Sequence, residues 1–132
     1  MILVDDRLLR TMLMAQEPDS LVRLRRHGPA ATTSCWLYRL CQAVIDPSIA
    51  GTLSGPITAM PPTTRDEVVT RIARLPPEVE RVSWREIAWS MADLVQRHRL
   101  NLLALEALAA ALNAERYNEY VAQIEDLDLQ DQ

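Results

Sequence analysis

The sequence predicts an α/β fold with a small, mostly parallel central sheet. A continuous apolar run at 1–4 stops at two aspartates, which is typical of a strand buried on both faces. Two further short segments, 30–33 and 79–82, are strand candidates that each precede a helix-capping serine. Between these segments, apolar residues recur at helical spacing. At 132 residues the chain is long enough for one core, so we predict a single domain over 1–132.

Start and stop signals define two helices in the first half of the chain. A helix capped by Asp5 or Asp6 is predicted to run to about Met14. A second helix is predicted over 34–45, with its first residue, a serine, as the N-cap. Residues 20–28 mix apolar residues with arginines before a Gly-Pro pair, so the pattern leaves their structure open.

The second half begins with a proline-rich stretch, 47–62, which is expected to be a loop or a loosely wound excursion. Capping boxes then predict helices over 64–75 and 83–99. An asparagine opens a further helix over 101–113, and 117–124 is the last strand candidate. Because the strand signals are few and short, an all-α fold remains the alternative.

The charge of the chain is divided unevenly. The formal net charge is -4, and all 14 basic residues other than histidine are arginines. Residues 1–100 carry a net charge of +2, whereas 101–132 carry -6. The total disfavours a protein that coats nucleic acid. The acidic end is either a solvated tail or part of an acidic cluster that the N-terminal region completes.

Hydropathy and cysteine content predict a cytoplasmic protein with no membrane partner. The longest nearly apolar run, 100–112, is shorter than the roughly 20 residues that a membrane span needs. The chain starts without a basic leader, so no signal peptide is expected. Its two cysteines show no framework spacing, which favours reduced thiols. The leucine-rich apolar helices make a homodimer an expected form of assembly.

Three acids are the strongest candidates for chemistry. Asp5 directly follows the first predicted strand, Glu106 lies in a helix that is apolar almost all round, and Asp126 follows the last strand candidate. Convergent carboxylates suit a hard cation such as Mg²⁺ or Mn²⁺, which can activate water for phosphodiester hydrolysis. Asp6 or Asp128 could substitute for a neighbour. The alternatives are a helix cap for Asp5, a narrow solvent-facing strip for Glu106 and a solvated tail for Asp126.

The densest basic cluster comprises Arg23, Arg25, Arg26 and His27. Arg25 and Arg26 are the candidate contacts to the phosphates of a single-stranded RNA. A solvated face is the alternative explanation of this cluster. A small regulator that binds duplex DNA through the same arginines is a further alternative, which the acidic net charge disfavours.

Two motifs resemble the PIN-domain ribonucleases, a family that includes the VapC-type toxins of toxin–antitoxin pairs. The opening Met-Ile-Leu-Val-Asp is similar to the family's first motif, and Glu106-Ala-Leu is similar to its acidic helix motif. Asp126 lies 20 residues further on, near the place of a fourth acid. The resemblance implies a PIN-like three-layer α/β/α sandwich. It also implies an endoribonuclease that uses Mg²⁺ or Mn²⁺, with RNA as substrate and an antitoxin protein as partner.

The sequence departs from the family pattern at one position in particular. The predicted helix 34–45 contains no acid, and Arg39 stands where the family's second acid would be. Glu106 is also longer than the aspartate that is usual in its motif. A guanidinium at this place would repel a cation or pair with the acids. The second hypothesis is therefore a catalytically degenerate PIN-like or mainly helical interaction and regulatory protein, with internal ion pairs in place of a metal site.

Overall fold

The computed structural model describes residues 1–26 and 28–130, and for residues 49, 50 and 117–130 it describes the backbone alone. The elements follow one another as β1 (Ile2–Leu3), α1 (Asp6–Leu13), α2 (Asp19–Arg25), β2 (Ala30–Thr33), α3 (Ser34–Ile45), α4 (Pro47–Ala50), a 3₁₀ turn (Gly51–Leu53), α5 (Gly55–Thr58), α6 (Pro62–Ala73), β3 (Val79–Val82), α7 (Trp84–Arg97) and α8 (Leu102–Gln130).

The three strands form one parallel sheet in the order β1-β2-β3. Ile2 pairs with Ala30, which in turn pairs with Val79 on the other side. Parallel neighbours need a crossover, and here the crossovers are the helices α1 and α2, then α3 to α6. The predicted α/β class is confirmed in this form, as a mostly helical fold around a small parallel sheet.

The core is divided between the two faces of the sheet. Ala30 belongs to one apolar cluster, with Leu9 of α1 and Leu40 of α3. Its neighbour Ala31 belongs to a second cluster, with Ile87 of α7 and residues of α8. Since successive strand residues point to opposite faces, β2 separates the two clusters, and helices cover both sides of it.

The predicted strand 117–124 is wrong, because α8 continues through it to Gln130. The sequence from Leu102 to Gln130 contains neither glycine nor proline, so nothing in it stops a helix once the helix has started. The apolar positions Tyr117, Val121 and Ile124 are also four and three residues apart, which fits helical rather than strand periodicity.

The proline-rich stretch 47–62 was expected to be a loop or a loosely wound excursion, and the structure shows that it is wound into short helices. It contains α4, the 3₁₀ turn and α5, and both short helices have a proline in their first turn, where its missing N–H costs nothing. The open segment 20–28 contains helix α2. Among the described residues, no helix combines the length and apolar character of a membrane span.

Most predicted caps are confirmed, with two corrections. The backbone N–H of Leu8 donates to Asp5 Oδ1 at 2.9 Å, and that of Ala104 to Asn101 Oδ1 at 2.8 Å. The N-cap of α3 is Thr33 rather than the predicted serine, and α6 begins at Pro62 without a side-chain cap. At the start of α3, the hydroxyl of either Thr33 or Ser34 could form the cap. Thr33 forms it because β2 ends there and leaves Thr33 as the last extended residue.

Candidate site at the carboxyl end of the sheet

The carboxyl ends of the three strands each lead into a helix N-terminus. Asp5 caps α1, Thr33 caps α3 and Ser83 caps α7. In a parallel sheet these ends meet at one edge, which is where ligands of open α/β sheets collect. The edge therefore gathers helix N-termini, which carry partial positive charge and free backbone donors. Acidic side chains are stabilised in such a place.

Asp5 is held as a helix cap. Its carboxylate accepts the backbone N–H of Leu8 at 2.9 Å, and the side chain is half-buried at the start of α1. One orphan donor of the helix is satisfied in this way. The capping alternative for Asp5 is therefore the arrangement that the structure contains.

Asp6 forms an ion pair with Arg39. Arg39 Nε lies 3.4 Å from Asp6 Oδ2, and the Arg7 backbone N–H donates to Asp6 Oδ1 at 2.9 Å. Asp6 is buried, whereas half of the Arg39 side chain is exposed. This is an internal ion pair of the kind that the second hypothesis predicts.

Glu106 is the most constrained acid of this edge, and it is 0% exposed. Its Oε1 accepts the backbone N–H of Cys35 at 2.8 Å, and its Oε2 accepts the indole N–H of Trp84. The Thr33 hydroxyl and the Cys35 thiol also donate to the carboxylate. A carboxylate offers about four lone-pair positions, and four donors of the chain surround this one. The alternative of a narrow solvent-facing strip is wrong, because no part of Glu106 reaches solvent.

The donors around Glu106 keep its charge in spite of burial. Burial alone raises the pKa of a carboxyl group, and it is the largest single influence here. The bonds from Trp84, from the Cys35 backbone and from the Thr33 and Cys35 side chains together outweigh burial and lower the pKa of Glu106 below its ordinary value of 4.5. Glu106 is therefore an ionised, fully buried carboxylate at neutral pH.

The Cys35 thiol responds in the opposite direction. Burial, the hydrogen bond to Glu106 and the negative charge of Glu106 raise the pKa of Cys35 to about 11. A thiol of this kind is protonated at neutral pH and is a poor nucleophile. Burial also raises the pKa of Cys41. These shifts favour a structural role for both cysteines.

The metal ion that the family resemblance implies does not fit the described residues. Mg²⁺ and Mn²⁺ need carboxylate oxygens that are free to bind, yet chain donors surround Glu106, Leu8 occupies one oxygen of Asp5, and Arg39 neutralises Asp6. Among the side chains that the structure describes, no three His, Cys, Asp or Glu residues are grouped so that they could hold a metal ion.

The side chains of Asp126 and Asp128 lie outside the described part of the structure. The backbones of Asp126 and Asp128 belong to α8 and do not follow a strand. Their carboxylates are not described, so the predicted set of Asp5, Glu106 and Asp126 stays a prediction.

The two candidate RNA contacts are placed differently. Arg25 forms an ion pair with Glu17 and is about two-thirds buried, so its charge is already neutralised within the chain. Arg26 directly follows α2 and is exposed. His27, the end of the same basic cluster, lies outside the described residues. Of the two arginines, only Arg26 presents an exposed side chain to a ligand.

Sequence reasoning did not find the partners of Glu106. Thr33, Cys35 and Trp84 come from the end of β2, the first turn of α3 and the start of α7. The signal in the sequence was a lone acid in an apolar helix, which requires buried donors or a counter-charge. No spacing rule identifies those donors, because Trp84 is 22 and Cys35 is 71 positions away.

No family model, curated protein or solved structure matches the chain.

Proposed function

We propose that this chain is a non-catalytic interaction protein with a PIN-like arrangement of helices around its sheet. The observation that carries the proposal is the state of Glu106, which is fully buried with both carboxylate oxygens bound by donors of the chain. A catalytic metal ligand must present at least one oxygen to the cation. In this site the acid instead connects α8 to α3 and α7.

The Asp6–Arg39 pair supports the same proposal. In a hydrolytic metal site, neighbouring acids repel one another until the cation neutralises them. Here Arg39 provides a positive charge 3.4 Å from Asp6. Asp6 is thus paired within the chain, and a divalent cation that binds Asp6 would have to displace a guanidinium.

The exposed side chains favour a protein as the partner, with a second copy of this chain as the form that we propose. Trp89 of α7 is 88% exposed, and Leu108 and Leu112 of the adjacent α8 are also exposed. Tryptophan is enriched at the energetic centre of protein interfaces, and the exposed leucines extend the apolar surface beside it. RNA is less favoured, because Arg25 is neutralised by Glu17.

The decisive experiment measures cleavage of a mixed RNA by the wild-type chain, with Mg²⁺ or Mn²⁺ and with excess chelator. We expect the same background in all three conditions, and we expect no change in Tm on adding Mn²⁺, because a ligand stabilises a fold only if the native state binds it. Metal-dependent cleavage that is lost in Glu106→Gln would overturn the proposal. It would favour the endoribonuclease of a toxin–antitoxin pair instead.

Sedimentation equilibrium tests the proposed partner. The wild-type chain is expected to dimerise at concentrations up to about 100 µM. Trp89→Ala is expected to weaken dimerisation without lowering the Tm of dilute, monomeric protein, since the side chain is almost fully exposed. Ile45→Ala, which truncates a similarly exposed apolar side chain at the end of α3 and away from α7 and α8, is the matched control. A wild-type chain that stays monomeric throughout this range would contradict the second copy as partner.

A further inference from the structure

A cavity of about 310 Å³ lies at the opposite end of the sheet from Glu106. It is bordered by the end of α1, the start of β3 and the segments that flank them, and its charged lining residues are Glu17, Arg25, Arg71 and Glu78. Its volume is at the lower end of the range that small-molecule sites occupy. The size suits a ligand much smaller than a nucleotide.

Glu17 carries an unsatisfied acceptor in this cavity. Its Oε1 is paired with Arg25, whereas its Oε2 is buried and has no hydrogen-bond partner. A buried carboxylate oxygen without a donor is costly, so native structures rarely leave one. A ligand with a cationic N–H group would satisfy it.

Arg71 and Glu78 add two charges to the same cavity. One guanidinium nitrogen of Arg71 donates to the backbone carbonyl of Leu13 at 2.8 Å, which fixes the side chain and leaves its remaining N–H groups as donors. Within the described part of the chain, neither residue has an ion-pair partner within 4.0 Å. The cavity thus offers a donor fork for an anion and carboxylates for a cation.

The turn before Glu17 has an unusual backbone. Ala15 has a φ of 58° and lines the cavity, and this left-handed conformation is uncommon outside glycine. Two backbone bonds hold the turn, from Ala15 to Met12 and from Gln16 to Thr11, each 3.0 Å long. These two bonds and the left-handed Ala15 form the Schellman ending of α1, and Glu17 follows it two residues later and lines the cavity.

We propose that this cavity binds a free α-amino acid with an aliphatic side chain. The ammonium group binds Glu17 Oε2, the carboxylate binds the guanidinium of Arg71, and the side chain contacts the apolar lining provided by Met12 and Val79. The four charged lining residues are two acids and two arginines, so their net charge is zero. This suits a ligand that is neutral overall but carries one positive and one negative group. The site does not depend on the proposed function, because it shares no residue with the Glu106 edge.

The test is titration calorimetry of the full chain with alanine, valine and leucine. At least one is expected to bind, and its amino alcohol and its deaminated acid are each expected to bind about tenfold more weakly or less, since each lacks one charged contact. Only the ligand changes between these measurements, so the result does not depend on whether a variant of the protein folds. Absence of binding by all three amino acids, or equal binding by an analogue with one charge, would overturn the proposal.

Variants test the two contacts separately. Arg71→Gln and Glu17→Gln are each expected to weaken binding about tenfold or more. The matched control for Arg71→Gln is Arg74→Gln, one turn further along the chain. The matched control for Glu17→Gln is Glu80→Gln, at an exposed position of β3. Both controls are expected to keep wild-type affinity. Because Glu17→Gln also loses the ion pair with Arg25, the Tm of each variant is recorded beside its affinity. Unchanged affinity in folded Arg71→Gln would refute the assigned carboxylate contact.

Discussion

Glu106 and Cys35 are 71 positions apart in the chain, and the Cys35 backbone N–H donates to Glu106 Oε1 at 2.8 Å. The bond joins the long C-terminal helix α8 to the first turn of α3, where backbone donors have no partner within the helix. It places a full negative charge at the positive end of the α3 dipole. The contact therefore acts as a helix cap supplied from a distant part of the sequence.

Replacing Glu106 tests this capping role through stability. Glu106→Gln is expected to lower the free energy of unfolding by about 2–4 kcal/mol, because an amide nitrogen cannot accept the bonds that the carboxylate accepts and leaves buried donors unpaired. Urea unfolding measures the change. Trp84→Phe, which removes one of the donors, is expected to be destabilising by a smaller amount.

Glu115→Gln, on an exposed position of the same helix, is the control for Glu106→Gln and is expected to change stability by less than about 0.5 kcal/mol. If Glu106 were instead an unoccupied metal ligand, its removal would relieve repulsion among acids. A Glu106→Gln chain as stable as the wild type, or more stable, would thus contradict the capping role.

The contribution of Glu106 to stability depends on pH in a defined direction. Its pKa is lowered in the folded chain from an ordinary value of 4.5, so the unfolded chain takes up the proton first as the pH falls. The contribution is fully present above pH 4.5 and is lost as the pH falls through the folded-state pKa. The stability difference between wild type and Glu106→Gln is therefore expected to be constant near neutral pH and to shrink as the pH falls below 4.5. A difference that grows on acidification would contradict it.

Alkylation of Cys35 reports on its contact with Glu106. The pKa of the thiol is raised to about 11, so in a Cys41→Ser background we expect slow reaction with iodoacetamide at about pH 8. Adding Glu106→Gln removes the negative charge and its hydrogen bond, which lowers the Cys35 pKa towards its ordinary value and speeds the reaction. The control combines Glu106→Gln with Cys35→Ser, so that Cys41 is the thiol that reacts. If Glu106→Gln simply unfolded the chain, Cys41 would also react faster. An unchanged Cys35 rate would argue against the contact.

Arg39 tests whether the edge of the sheet can be converted into a metal site. Arg39→Gln is expected to change stability by less than about 1 kcal/mol, because half of the side chain is in solvent. Arg39→Glu is expected to be more destabilising, since it places a second negative charge beside buried Asp6. We expect Mn²⁺ not to restore the Tm of Arg39→Glu, because Glu106 is still bound by its four donors. Restoration by Mn²⁺ would indicate a latent cation site.

Local patterns accounted for most helices and for the three short strands. The caps at Asp5, Ser83 and Asn101 were readable because a capping side chain bonds to the backbone only two or three residues away. The continuation of α8 through the predicted strand 117–124 was missed, because a short run with β-branched and aromatic residues satisfies both patterns. The sequence left the structure of segment 20–28 undecided for the same reason, since its apolar residues fit both helical and strand patterns.

The candidate site was predicted only in part. Glu106 was selected because an acid in an apolar helix has to be paired, and this argument needs no tertiary structure. Its pairing with a cation stays a prediction, whereas the partners that the structure describes are an indole, a backbone amide, a hydroxyl and a thiol. These groups carry no net charge, so no charge pattern in the sequence reveals them.

The sequence by itself predicted the α/β class, with an all-α fold as the alternative, and a buried, paired Glu106, with a solvent-facing strip as the alternative. Both predictions depend on periodicity, capping and burial of charge, all of which act over a few residues. Arg39 was singled out only by the resemblance to the PIN-domain family. Only the tertiary structure decided that Glu106 binds Cys35 and Trp84, that Arg39 pairs with Asp6, and that Glu17 and Arg71 line one cavity. Those contacts join distant segments, and their geometry follows from how the helices pack on the sheet rather than from any spacing along the chain.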